Sequence, residues 1–154
     1  MTVHVLDESP STDGAFGTAP DDRTLEQRLA SGFILVDKPA GPTSHQLAAW
    51  ARDLLGLERL GHGGTLDPFA TGVLPLMAGR CMKITNKILK HEKTYIAVLR
   101  FRSMPDMETL NATMATMTGR IYNVPPEVSA VKVQVRTRNV HTFELLDTDG
   151  NDAV

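Results

Sequence analysis

The sequence predicts an α+β domain with a mixed, largely antiparallel sheet and flanking helices, and three features carry that prediction. Short apolar or alternating runs recur at residues 33–36, 93–102, 120–122 and 129–135, too short for helices and bounded by Gly or Pro. Two stretches, 44–54 and 106–117, instead space their apolar residues three and four apart, as an amphipathic helix requires. Turn chemistry separates these segments at 37–42, Gly56, Pro105, Gly119 and Pro125-Pro126.

Taken in order, residues 1–22 are rich in Ser, Thr, Asp, Gly and Pro and read as a disordered acidic arm, with the folded domain expected over 23–154. Thr24 to Ala30 is a short helical candidate with Leu25 and Leu29 on one face, and Phe33-Ile34-Leu35-Val36 is an apolar run typical of a buried strand. Asp37-Lys38-Pro39-Ala40-Gly41-Pro42 stops that strand. Thr43 or Ser44 can cap the next helix, and Thr43 with Gln46 makes a capping box. Leu47, Trp50, Ala51 and Leu54 form the expected buried stripe, and Gly56 ends the helix. Thr71 to Pro75 is expected to pack beneath the preceding loop. Arg80 to Lys90 reads as a helix with an apolar and a basic side, and Cys81 packs at its start. Lys93 to Arg102 alternates as a strand does. Asp106 caps a helix whose stripe is Leu110, Thr113, Met114 and Met117, and Gly119 stops it. Strands are expected again at Arg120–Tyr122, near Ser129–Val135 and from His141 through Phe143–Leu146, followed by a turn at Asp147–Asp152.

Composition limits the function. At 154 residues and 16.8 kDa, with 42% hydrophobic and 22% charged residues, the chain has one domain's worth of core. A single cysteine leaves no internal disulfide and no cysteine-built metal site, and the five histidines are scattered. No apolar run reaches the roughly 18 residues of a membrane span, and the N-terminus lacks the pattern of a signal peptide. The cytoplasm is the expected compartment, with no membrane partner. The net charge of −2 conceals an uneven distribution: −4 over residues 1–30, +6 over 31–138 and −4 over 139–154. A basic middle between acidic ends suits a polyanion partner, although a solvated surface with acidic tails has the same balance.

The stretch with chemical character is Gly61-His62-Gly63-Gly64-Thr65-Leu66-Asp67-Pro68, followed by Phe69-Ala70-Thr71-Gly72. Three glycines in four residues let the backbone turn sharply and approach something bulky, and Asp-Pro drives Asp67 out of the helical region. A carboxylate held on such a loop can be a nucleophile, a general base or a turn-former. The loop lacks the Gly-Lys-Ser/Thr ending of a phosphate cradle, and the chain has no Gly-x-Ser-x-Gly elbow.

Gly-His-Gly-Gly-Thr-Leu-Asp-Pro-x-Ala-Thr-Gly resembles the active-site motif of the TruB/dyskerin class of pseudouridine synthases. Leu35 to Ser44, Lys93-Thr94-Tyr95, and Pro125-Pro126-x-x-Ser129-Ala130-Val131-Lys132 with Arg136-Thr137-Arg138 resemble its other motifs in the same order. Gly-Pro-Thr-Ser-His, the acidic arm and Val-Arg-Thr-Arg-Asn-Val resemble the archaeal and eukaryotic guide-RNA-dependent (H/ACA) branch more than the bacterial tRNA enzyme, which Phe69-Ala70-Thr71 would also suit. The resemblance implies the pseudouridine synthase catalytic-domain fold and an isomerase acting on uridine in rRNA or tRNA. Its implied partners are a guide RNA and small accessory proteins, and it needs no cofactor and no metal. Asp67 would be the nucleophile, and Tyr95 would stack on the flipped uracil and help remove a proton. A base inside RNA must be extruded before its glycosidic bond is reached, and an aromatic face offsets the lost stacking. A nucleophilic carboxylate has to be ionised, a state that a neighbouring cation favours. His62 would pack the loop or contact RNA, and Lys38 would hold its turn against the loop or contact RNA. Lys132, Arg136 and Arg138 would meet phosphate. One departure stands out: the family's downstream Gly-Thr-Tyr-Ile-Arg-like segment, whose arginine pairs with the aspartate, has no match here, nor does its RNA-binding PUA domain. The chain is therefore expected to be the N-terminal part of such a synthase, incomplete within its catalytic domain and weakly active or inactive alone. The alternatives are a stand-alone tRNA pseudouridine synthase and a non-catalytic RNA-binding remnant.

Overall fold

The computed structural model describes residues 13, 15–124 and 134–154. Most of the predicted arm (1–12 and 14) and the expected strand and motif around 125–133 lie outside the described residues. The chain divides into two compact units, Met1–His91 and Glu92–Val154, both α+β with antiparallel pairing.

In the first unit, helix α1 (Leu25–Ala30) opens with a capping box: Thr24 Oγ1 accepts from the Gln27 N–H, and the Gln27 side chain accepts from the Thr24 N–H. It runs directly into strand β1 (Ser31–Lys38). Helix α2 (Ser44–Leu54) has the predicted capping box between Thr43 and Gln46. Its far end closes as predicted at Gly56, where φ is +62°; the Gly56 N–H donates to Asp53 O and the Leu57 N–H to Arg52 O, a Schellman motif. Strands β2 (Leu60–His62) and β3 (Gly72–Gly79) complete a sheet of order β1-β3-β2. A 3-10 turn at Arg80–Ile84 and the short helix α3 (Thr85–Leu89) follow, where the sequence suggested one continuous helix.

The core of this unit lies between one face of the sheet and α2. Ile34 and Val36 of β1 stand opposite Leu76 and Leu74 of β3, and these pack with Leu60 against Leu47, Ala48 and Ala51. Two expectations are corrected here. The β1 run is not buried on both faces: its side chains alternate, and Phe33 and Leu35 are exposed. On α2 the buried stripe includes Ala48, whereas Trp50 and Leu54 are 58% and 86% exposed. The small Ala48 lets the helix sit close to the sheet, which turns the larger side chains outward.

Strand β3, the most buried of the three, was expected only as an apolar segment over Thr71 to Pro75, and it runs on through Pro75 to Gly79. The Pro75 carbonyl accepts from the Gly63 N–H at 2.8 Å, just past the end of β2. In an antiparallel ladder a residue's N and O face the same neighbour, so the missing N–H falls on that side and the pairing with β1 loses no donor.

In the second unit, β4 (Leu99–Arg100) pairs with β8 (Asp152–Ala153), and β8 pairs with β7 (Thr148–Asp149) across the predicted turn at Gly150-Asn151. Helix α4 (Met107–Thr116) is capped by Asp106, whose side chain accepts from the Thr109 N–H, and buries Leu110 and Met114. Strand β5 (Gly119–Asn123) pairs with β6 (Arg136–Val140). The alternating stretch 93–102 forms a strand only at its two residues opposite β8. Alternation marks a strand's capacity to be half-buried, and Lys93 to Val98 are exposed. The expected strand from His141 is likewise replaced by β6, which ends at Val140, and by irregular chain over Phe143–Leu146.

Candidate active site

The Asp67 loop is held from below by a lysine. Lys38 ends β1 in phase with Ile34 and Val36, so its side chain points into the core, and it has no exposed surface. Its ammonium donates to the carbonyl oxygens of Pro39 (3.0 Å), Asp67 (3.2 Å), Pro68 (3.3 Å) and Ala70 (2.8 Å). A buried ammonium must find acceptors, and backbone carbonyls at a sharp turn supply them. Of the two roles expected for Lys38, this geometry favours the loop clamp over contact with RNA, because the side chain is wholly covered.

Two further contacts fix the loop. The Gly41 N–H donates to Pro68 O at 2.8 Å, and the Ala70 N–H donates to Asp67 O at 3.0 Å, closing a four-residue turn with Pro68 at its second position. Upstream, Ser44 in the first turn of α2 is 1% exposed; its hydroxyl accepts from the Leu66 N–H (2.9 Å) and donates to Leu66 O (3.2 Å). The backbone on either side of Asp67 is thus tied to β1 and to the start of α2. The carboxylate itself is exposed, and among the described residues no side chain hydrogen-bonds to it.

His62 ends β2, where its Nδ1 is hydrogen-bonded to the Gly64 carbonyl and its ring meets that of His45 edge-on at 6.4 Å. It is half-buried, and this arrangement packs the loop. Gly63 permits that packing: a Cβ there would lie 2.6 Å from Ile88 Cγ2. Sequence reasoning missed the roles of Ser44 and His45. Ser44 was visible only as an alternative cap, and nothing local signals that a first-turn serine will bridge to a loop 22 residues away.

The remaining expected site residues belong to the second unit. Tyr95 is 63% exposed. Arg138, on β6 opposite Ile121, is exposed, whereas Arg136 two residues earlier is half-buried. Lys132 lies outside the described residues. Arg100 is bound to Asp152 by two contacts of 2.7 and 2.5 Å, which raises the arginine pKa and lowers that of the aspartate. Burial pushes the Cys81 thiol up, so it is a poor nucleophile. Among the described residues no three His, Cys, Asp or Glu side chains gather as a metal site, and no helix is long and apolar enough to cross a membrane.

Known proteins match this chain in both sequence and fold. Residues 52–108 match the TruB family pseudouridylate synthase (N terminal domain), and residues 4–48 match the DKCLD (NUC011) domain. The chain belongs to the TruB/dyskerin class. It is 44% identical to the probable tRNA pseudouridine synthase B of Pyrobaculum calidifontis over 93% of its own length and 43% of that protein's. It is 40% identical to that of Pyrococcus abyssi over 99% of its length and 46% of the relative's. A crystal structure of a Cbf5-Nop10-Gar1 complex superposes with a TM-score of 0.81 at 37% identity, and an H/ACA RNP bound to a substrate RNA containing 2'-deoxyuridine with 0.80 at 33%. Each covers 96% of this chain, which spans 45% and 43% of theirs, so the chain is less than half the length of the proteins it matches. The pseudouridine synthase fold expected from the sequence is therefore shown.

Proposed function

We propose that this chain supplies the nucleophile-bearing N-terminal part of an RNA pseudouridine synthase, with residues 23–154 as part of its catalytic domain. The observation that carries the reading is an exposed Asp67 carboxylate on a turn whose backbone is clamped by Lys38, within a class whose named members are pseudouridine synthases. Isomerisation breaks the bond from ribose C1′ to uracil N1 and forms one from C1′ to C5; C5 loses its proton to solvent and N1 takes one up, so no redox partner or metal is required. Asp67 acts as the nucleophile on the sugar or the base. Tyr95 stacks on the flipped uracil and assists loss of the C5 proton. His62 sits beside the entering RNA, and Lys132, Arg136 and Arg138 meet phosphates, contacts that position without reading sequence.

The guide-RNA-dependent branch is the favoured setting, supported by the DKCLD match at residues 4–48 and by the likeness to an H/ACA RNP with substrate RNA. In that setting the chain works in the cytoplasm with a guide RNA and small accessory proteins on rRNA or tRNA. The names of the curated relatives favour a second reading, direct action on tRNA.

The test joins these 154 residues to the remaining sequence of the Pyrobaculum calidifontis relative and measures tritium release from RNA carrying C5-labelled uridine. Release that Asp67→Ala abolishes and EDTA leaves intact is expected, with little from the chain alone. Turnover on a tRNA transcript without guide RNA selects the second reading. Persistent turnover in Asp67→Ala refutes the assignment of the nucleophile.

A further inference from the structure

Phe69 is the residue of the Asp67 turn that the foregoing assignment leaves without a role. It is 80% exposed, two positions from Asp67, in the turn closed by the Ala70 N–H on Asp67 O. An apolar ring so exposed contributes little to the core. Yet the residues on either side of it are pinned through their carbonyls: Pro68 O accepts from Lys38 and Gly41, and Ala70 O accepts from Lys38. The exposed ring is therefore carried between two anchored residues, at the third position of the turn.

We infer that Phe69 is a stacking platform for the nucleobase next to the target uridine. The inference rests on the reading that Asp67 acts on a uridine in RNA. Extruding one base leaves its neighbours with an uncovered face, and an aromatic ring two residues from the reacting carboxylate lies within reach of an adjacent nucleotide. Stacking on an aromatic ring tolerates every base, because each has a π-face. It holds the strand in register without demanding a sequence around the uridine. Phe69 thus acts in binding, whereas Asp67 acts in the chemistry.

The experiment measures binding of the chain, joined to the remaining sequence of its Pyrobaculum calidifontis relative, to a short uridine-containing RNA by fluorescence anisotropy. It compares wild type, Phe69→Ala and Phe69→Trp on the intact RNA and on RNAs made abasic 5′ or 3′ of the uridine. On intact RNA, Phe69→Ala is expected to weaken binding about tenfold, within the range for loss of one base–aromatic stack, and Phe69→Trp to retain it. On one of the two abasic RNAs the difference between wild type and Phe69→Ala vanishes. Equal affinities on intact RNA, or the same loss on all three RNAs, overturn the platform while leaving the RNA-binding reading standing. Absence of any binding by the wild-type chain overturns both. Unchanged thermal unfolding of Phe69→Ala is expected from its exposure, and a lowered melting temperature together with the same loss on all three RNAs assigns the ring to packing instead.

Discussion

Lys38→Met removes the ammonium while keeping the length of the side chain, so it tests the clamp with the least disturbance of packing. Four charge-assisted bonds, each of about 1.5–3 kcal/mol, overstate the effect. The variant is also relieved of burying an ammonium, a cost of several kcal/mol. Two of the four carbonyls keep another donor, since Asp67 O still accepts from Ala70 and Pro68 O from Gly41. Pro39 is exposed and its carbonyl can turn to water. The half-buried Ala70 carbonyl loses its shortest contact, 2.8 Å, with no replacement among the described residues. One stranded acceptor with a loosened turn costs about 2 kcal/mol, or about 10 °C of melting temperature for a unit of this size. Circular dichroism melts measure the first, and hydrogen exchange at the Gly41 and Ala70 amides reports the turn directly. Lys38→Arg should fare no better, because the larger guanidinium does not fit a fully covered site. If Lys38→Met melts with wild type and both amides keep their protection, the clamp does not hold the loop.

Ser44→Ala strands the Leu66 N–H and C=O beside a buried position, and is expected to lower stability by about 1–3 kcal/mol in urea unfolding. Acid should loosen the second unit: hydrogen bonding from Arg100 lowers the Asp152 pKa, and the Thr109 backbone N–H chiefly lowers that of Asp106. Both therefore contribute stability above the unfolded carboxylate value near ~3.9, which is lost as pH falls through their lower folded values. Melts between about pH 2 and 6 should show this fall, shallower in Asp152→Asn; a flat profile contradicts it.

What could be read from the sequence was whatever local chemistry decides. The Thr43–Gln46 capping box, the Gly56 stop, the Asp106 cap and the turn at Gly150 involve groups within a few residues of one another, and all form as expected. Burial was less legible, because a periodic apolar pattern does not say which residues find a partner. Trp50 and Leu54 share the helical spacing of Leu47 and Ala51, but the sheet meets α2 along Leu47, Ala48 and Ala51. Lys93 to Val98 alternate without a neighbouring strand among the described residues, and Pro75 hid a strand whose missing N–H falls where no ladder needs it. At the site, Lys38 carried its own signal: two residues after Val36 and four after Ile34, it occupies a core-facing position of β1. A charge in that phase implies a buried network rather than a surface contact.

The same arrangement separates scaffold from chemistry in a way that Asp67→Asn can test. The loop is held entirely through main-chain atoms of Asp67, Pro68 and Ala70, and Ser44 grips Leu66 through its main chain as well. Removing the charge from the exposed Asp67 side chain therefore leaves every one of these contacts in place, and the melting temperature should stay within the range of an ordinary surface substitution, about 0.5 kcal/mol. Tritium release by the chain joined to its relative's remaining sequence should nevertheless be abolished, since the amide cannot serve as the nucleophile. Lys38→Met should show the converse pattern, losing stability and retaining partial turnover in proportion to the turn's residual order. A drop in stability for Asp67→Asn comparable to that of Lys38→Met would mean that the carboxylate is itself a structural element of the turn. The turn-forming role open to any Asp-Pro sequence would then be its main one.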